Sequence, residues 1–365
     1  MVGIISIMRI ESHAPPELKT VSFIVVVLFM VSLMWVYSPA HPKESCSRIS
    51  AGQNSRLAIP TGGGYIQLAA SPDVGQGKTG QADAGSDVLC GNLYVVGGYG
   101  SSSDDRLDAV SVYSPTENRW LSGPAYPVKT WGLACSAVET SLFCFGGVGA
   151  GVRAYKFDAS YFAWTRLRDM PTGYNNSQGQ VAVADPVGSR VFIMGSSSNL
   201  EVNRTTLVYD IVHDSYVKKS DMPYGSGWFT AALYGGKIYA IGGTRSNQVL
   251  VYTMANDSWK QLPASLPGPP RFGMIRNPGV FSGMIPIVDG KARGTTFFMT
   301  TYFYDMAGNR FLRGPDSLMA RDGIAGGVIG DSLYVVGGRS DLNAPKGLAF
   351  AEAVNLASTF SNESV

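Results

Sequence analysis

Leu93-Tyr-Val-Val-Gly-Gly98 decides how this chain is read, because the stretch recurs. It returns unchanged as Leu333-Tyr-Val-Val-Gly-Gly338 near the C-terminus. Between the two copies lie Leu142-Phe-Cys-Phe-Gly-Gly147, Val191-Phe-Ile-Met-Gly-Ser196, Ile238-Tyr-Ala-Ile-Gly-Gly243 and Ile285-Pro-Ile-Val-Asp-Gly290. Each is a β-branched or aromatic run closed by two small residues, and the six follow one another in steps of 47 to 49 residues. A run of this kind reads as a buried strand, and a fixed period near 50 residues implies a radial repeat with one four-stranded sheet per copy. The glycines have a physical reason. Strands converging on an axis leave no room for side chains, and the turn that follows calls for a permissive φ.

A second pattern runs in step with the first. Tyr113 and Trp120, Phe157 and Trp164, Tyr209 and Tyr216, Tyr252 and Trp259, and Tyr304 and Phe311 are each seven residues apart. Turn formers such as Pro115-Thr-Glu-Asn118 and Ala255-Asn-Asp-Ser258 fill the gaps. The spacing predicts a third strand, a tight hairpin and an outer strand, with both aromatics packed between neighbouring blades.

The glycine pairs, the spaced aromatic pairs and the blade-ending prolines Pro124, Pro171, Pro223 and Pro263 together resemble the kelch repeat family. The resemblance covers roughly residues 60–358 and implies an all-β, six-bladed kelch β-propeller. Blade three departs with Gly195-Ser196, and blade five with Asp289-Gly290 and Pro286 inside its strand, so blade five is expected to be the least regular. The sixth blade lacks an aromatic outer strand, while Tyr65-Ile-Gln-Leu68 resembles Trp259-Lys-Gln-Leu262. The N-terminal strand is therefore expected to complete blade six and close the ring.

A chain of 365 residues, 15% charged, 45% hydrophobic and with 44 glycines, has ample apolar surface for one large β-rich core. A net charge of +2 without a Lys/Arg cluster argues against nucleic acid. Val21 to Ser38 is 18 residues without a charge, long enough as a helix to span the hydrocarbon core. A retained signal-anchor is the expected reading. Ser38 and Ala40 suit a cleavage point, which leaves secretion after signal cleavage as the alternative. Arg9 and Lys19 precede the segment and Lys43 and Arg48 follow it, so charge leaves orientation open. Sequons at Asn175, Asn203, Asn256 and Asn362 tilt the reading towards a type II protein with a lumenal or extracellular propeller. The expected organisation is a tail (1–20), an anchor (21–38), a stalk (39–59), the propeller (60–358) and a disordered tail (359–365).

Catalytic signatures are wanting. The three histidines, His13, His41 and His213, cannot share a metal, and the copper and iron sites of kelch enzymes would require more. A serine or cysteine nucleophile would have no histidine partner. Gly77-Lys78-Thr79 imitates a phosphate loop, but Pro72 holds the required upstream glycine position, so neither nucleotide nor other cofactor is expected. Asp104, Asp105 and Asp108 read as a solvated loop with poor calcium alternation. Cys135 and Cys144 should sit opposite each other on adjacent strands, as a disulfide or as two thiols. Cys46 and Cys90 could pair only if the stalk folds back.

The resemblance implies a ligand face built from the loops that lead into each blade and those after the glycine pairs. Its candidates are Trp131, Tyr174, Trp228, Arg271, Phe272, Arg321 and Asp322. Aromatics beside charged residues suit a protein or glycan ligand. The expected function is a non-catalytic, membrane-tethered binding module. The alternatives are a secretory-pathway carbohydrate-active enzyme on this scaffold and a cytosolic adaptor.

Overall fold

The computed structural model describes residues 46, 59, 63–72, 74, 80–174, 178–198, 201–340 and 346–360. The segment Val21 to Ser38, the Gly77-Lys78-Thr79 stretch, Asn175 and Asn362 lie outside these residues. Among the described residues no helix is long and apolar enough to cross a membrane.

Six antiparallel sheets succeed one another along the chain. Blade one holds β2 to β5 (Gly85–Leu89, Asn92–Val96, Val110–Ser114, Arg119–Ser122), and blade two β6 to β9 (Ala134–Val138, Ser141–Phe145, Ala154–Asp158, Ala163–Arg166). Blade three holds β10 to β13 (Val181–Asp185, Arg190–Ser198, Glu201–Asp210, Ser215–Lys219). Blade four holds β14 to β17 (Thr230–Tyr234, Lys237–Ile241, Gln248–Thr253, Ser258–Ser265). Blade five has three strands, β18 to β20 (Met284–Val288, Thr301–Asp305, Arg310–Arg313). Blade six combines β21 to β23 (Asp322–Ile329, Ser332–Arg339, Ala351–Asn355) with β1 (Ile66–Gln67) from the other end of the chain.

The N-terminal strand closes the ring as expected, by joining blade six. Ile66 pairs with Ala353 and Gln67 with Glu352, and the Tyr65 hydroxyl meets Thr301 Oγ1 at 2.9 Å in blade five. A short helix, α1 (Leu356–Phe360), then places the Phe360 ring 4.8 Å from that of Phe303.

The core is six apolar clusters, one in each seam between neighbouring blades. Every fully buried large aliphatic or aromatic side chain there contributes about 1.5–3 kcal/mol. The five aromatic pairs face each other directly across their strands, with ring centroids 5.0 to 5.4 Å apart. The glycine pairs end the second strands in left-handed backbone: Gly97 and Gly98 have φ of 65° and 91°, and a Cβ on Gly98 would stand 2.7 Å from Ala82 O. In blade three Ser196 is not left-handed. The strands run on beyond a register shift between Met194 and Ser196 into a longer hairpin.

Blade five is the irregular one. The chain at its inner edge bonds to the neighbouring blades instead of to its own sheet: Ala231 N donates to Arg276 O (2.8 Å) and Val328 N to Pro278 O (2.8 Å). Pro278 has no N–H to give a ladder. The side chains there reach blades one and two. Arg276 donates to Ala84 O and to Leu133 O (2.9 Å), while Asn277 Nδ2 donates to Asp87 Oδ2 (2.9 Å) and Ser136 Oγ (3.2 Å).

Candidate ligand cavity on the loop face

One residue in each blade-leading loop has a left-handed backbone: Asp83, Gly132, Gly179, Trp228, Gly273 and Gly323, with φ between 54° and 76°. Their peptides join head to tail around the axis. Asp83 N donates to Gly323 O (2.8 Å), Gly323 N to Gly273 O (2.7 Å) and Gly273 N to Trp228 O (3.1 Å). Trp228 N donates to Gly179 O (2.7 Å), Gly179 N to Gly132 O (3.0 Å), and Gly132 N back to Asp83 O (2.7 Å). This closed ring satisfies six buried amides that no ladder within a blade pairs. Its glycines are required sterically as well: a Cβ on Gly179 would stand 2.4 Å from the Trp228 indole, and one on Gly323 would stand 2.4 Å from Asp83 Oδ1.

Against the ring lies a cavity of about 160 Å³, lined by Asp83, Tyr99, Ser103, Trp131, Gln178, Trp228, Phe272, Gly273, Asp322 and Arg339. The Trp131 and Trp228 rings lie nearly parallel, 20° apart with centroids 6.3 Å apart, and Tyr99 meets Trp131 edge-on at 5.9 Å. Arg339 donates twice to Asp322 (2.8 and 3.2 Å) and once to the Tyr99 hydroxyl (2.6 Å). Lys291 Nζ sits 3.7 Å from Asp322 and 5.1 Å from the Phe272 ring centre. The Arg276 guanidinium stacks 5.2 Å from the Trp228 ring.

Burial raises the Asp83 pKa, against the pull of the Arg339 charge. Burial also lowers Lys291, which Asp322 offsets, and lowers Arg276 to about 10. The wall thus carries both signs in close pairs. Among the described residues no three His, Cys, Asp or Glu side chains are grouped as a metal site requires.

Of the residues singled out from the sequence, Trp131, Trp228, Phe272 and Asp322 come together in this cavity. Tyr174 does not. It ends a 3-10 turn (Thr172–Tyr174) and packs into the seam of blades two and three, while Gln178 takes the lining position in that loop. Arg271 and Arg321 do not line it either. Arg271 is buried with its guanidinium 4.1 Å from the Phe298 ring centre. Arg321 is fully buried, paired with Asp289 (3.2 Å) and Glu352 and donating to Gly337 O (3.1 Å). Asp83, Tyr99, Gln178 and Arg339 escaped the sequence reading, although glycine at 132, 179, 273 and 323 marks the ring positions and singles out Asp83 and Trp228 as the exceptions.

Elsewhere, Cys135 and Cys144 lie opposite each other in β6 and β7 and form a disulfide, and Cys46 is joined to Cys90 in the first turn of blade one. Asn256 is exposed in the blade-four hairpin. Asn203 is half-buried in β12 and accepts a hydrogen bond from Thr205 N (2.7 Å). A larger rim groove of about 640 Å³ separates the outer edge of blade one from the blade-two hairpin, but the lead-in loops send no side chain to it.

The kelch motif model matches residues 82–125, most of blade one. Kelch-like protein terF of Aspergillus terreus is 23% identical over 288 residues, covering 71% of this chain and 60% of that protein. Kelch-like protein 25 of Xenopus tropicalis is 28% identical over 134 residues, covering 36% of this chain and 22% of that protein. The matches therefore span less than two thirds of either relative's length. The solved structure of YjhT superposes with a TM-score of 0.63 at 13% identity, over 78% of this chain and 95% of that one, and this likeness bears on the fold alone. With six blades built on one strand and glycine pattern, a matching motif in the first and kelch-like relatives across most of the rest, the chain belongs to the kelch-repeat β-propellers.

Proposed function

We propose that this chain is a non-catalytic binding module, held at or exported across a membrane, whose loop-face cavity grips a group projecting from a partner. The observation that carries this reading is convergence. Trp131, Gln178, Trp228 and Phe272 come from four successive lead-in loops, and all line one cavity with Asp83. Large rigid aromatics around a small recess are the usual anchors of a binding face. The test is proximity labelling with the full chain in eukaryotic cells, comparing wild type with a Trp131→Ala, Asp83→Asn double variant. Partners enriched by the wild type should be lost from the variant while its melting transition is kept. Equal enrichment would remove this face from consideration.

Both disulfides support an oxidising compartment, and the exposed Asn256 sequon suits a glycan there. Glycosidase treatment with alkaline membrane extraction should give a mobility shift on a carbonate-resistant protein. A cytosolic adaptor is the second reading, favoured by similarity to proteins named kelch-like. Four free thiols in mass spectra taken without reduction would promote it.

A further inference from the structure

We infer that the cavity takes one neutral sugar ring, the terminal residue of a glycan; this rests on the cavity being the binding site. Size comes first. About 160 Å³ is well below the roughly 300–1,000 Å³ of pockets that enclose a drug-sized ligand, so a single ring-sized group fits and an extended ligand does not.

Charge narrows the class. The Asp322 carboxylate is already engaged by Arg339 and Lys291, and Arg276 lies beneath Trp228. A cationic guest would meet Arg339, with Lys291 and Arg276 behind the wall, and an anionic one would meet Asp83 and Asp322. A neutral guest avoids both costs.

Hydrogen bonding narrows it further. Trp131 Nε1 and Gln178 Oε1, on two lining residues, are buried without a partner, one a donor and the other an acceptor. The Asp83 carboxyl receives no hydrogen bond from the described residues. The guest must therefore both donate and accept, which a hydroxyl does and a carboxylate or an ammonium does not. Finally, Trp131, the less buried of the two stacked tryptophans, lines the recess with an apolar aromatic surface suited to a ring whose C–H side is apolar and whose rim is hydroxylated. A partner's amide side chain meets the hydrogen-bond requirement but brings no such face.

The experiment titrates the full chain, in a detergent without a sugar headgroup, with the methyl glycosides of glucose, galactose, mannose and N-acetylglucosamine. N-acetylneuraminate and glycerol serve as controls, and binding is read by tryptophan fluorescence and saturation-transfer NMR. At least one neutral glycoside should bind saturably in the millimolar range. Asp83→Asn and Trp131→Phe, which keeps a ring but removes the N–H, should each weaken it about tenfold or more. No saturable response to any neutral glycoside, undiminished binding in both variants, or tighter binding of the anionic sugar would overturn the inference. Were partners still lost on Trp131→Ala with Asp83→Asn while no sugar bound, the cavity reading would stand and the sugar would fall. Were partners retained as well, both would fall.

Discussion

Asp83 and Trp228 stand on opposite sides of the propeller axis as the two non-glycine members of the six-peptide ring, with φ of 54° and 61°. A left-handed backbone costs a non-glycine residue about 1–3 kcal/mol, so these positions store strain at the cavity. Asp83→Gly should leave stability unchanged or raise it by about 1 kcal/mol, since strain and a buried carboxyl are relieved together. The same change should abolish binding at the cavity. Denaturant midpoints paired with a binding assay check this, and a loss of more than about 1 kcal/mol would refute the strain account.

Arg321 is a structural cation, not part of the ligand face. It neutralises Asp289 and Glu352 where all three side chains are fully buried. Arg321→Ala leaves two uncompensated acids and should destabilise by about 3–5 kcal/mol. Arg271→Ala loses a stack on Phe298 and two long bonds to carbonyls, and should cost about 1–2 kcal/mol. Thermal melts of the two variants side by side would show whether the difference exists.

The blade count, the aromatic cross-strand pairs and the closure through Tyr65 to Leu68 were legible in the sequence, because each rests on spacing along the chain. Trp131, Phe272 and Asp322 were legible for the same reason: each directly precedes the left-handed glycine of its lead-in loop, while Trp228 takes that left-handed position itself. Tyr174 was misplaced because the blade-three loop turns once more before reaching the axis, so alignment slipped by four residues to Gln178. The burial of Arg321 and the reach of Arg276 to blades one and two depend on contacts between distant parts of the chain. Residue type at one position carries no trace of those contacts.

Ring closure predicts an asymmetric response to truncation. Deleting residues 1–45 keeps Cys46 and β1 and should preserve one sharp melting transition. Deleting residues 1–72 removes β1, the Tyr65–Thr301 hydrogen bond and the Ala69 carbonyl that accepts from Trp120 Nε1 (2.9 Å). Blade six would then expose a bare edge. Its melt should broaden or fall steeply, and a 73–365 chain that melts as sharply as the longer one would sink the idea.

Asp87, lying beside Ser136 and Asn277, titrates near 6. Burial raises its carboxyl, against hydrogen bonds from Ala137 N, Val88 N, Ser136 and Asn277. The folded protein thus holds this proton more tightly than the unfolded chain, whose Asp titrates near about 4. The resulting stabilisation is complete below about pH 4 and is lost as pH rises through about 6. Asp87→Asn should remove that part of the slope between about pH 4 and 7. Parallel stability curves for the two proteins would contradict it.

The hairpins hold a further coupled pair. In blades one, three, four and five a tyrosine hydroxyl donates to an Asx side chain five residues on: Tyr113 to Asn118, Tyr209 to Asp214, Tyr252 to Asp257 and Tyr304 to Asn309, at 2.7 to 2.8 Å. Each acceptor sits in left-handed backbone, which Asn and Asp tolerate best. Blade two has Phe157 in place of the tyrosine and Phe162 in place of the acceptor, still at φ 52° and 51% exposed. Without a hydroxyl there is no bond to make, and the Phe162 ring instead meets Phe157 edge-on at 5.7 Å. Phe162→Asn alone should relieve backbone strain but forfeit that ring contact, for little net change. Phe157→Tyr alone leaves its hydroxyl without the Asx acceptor. Together they restore the lock of the other hairpins and should stabilise by about 1 kcal/mol beyond the sum of the single changes. A double-mutant cycle on denaturant midpoints measures that coupling. Strict additivity would mean that the tyrosine–Asx bond does not secure the four hairpins that carry it.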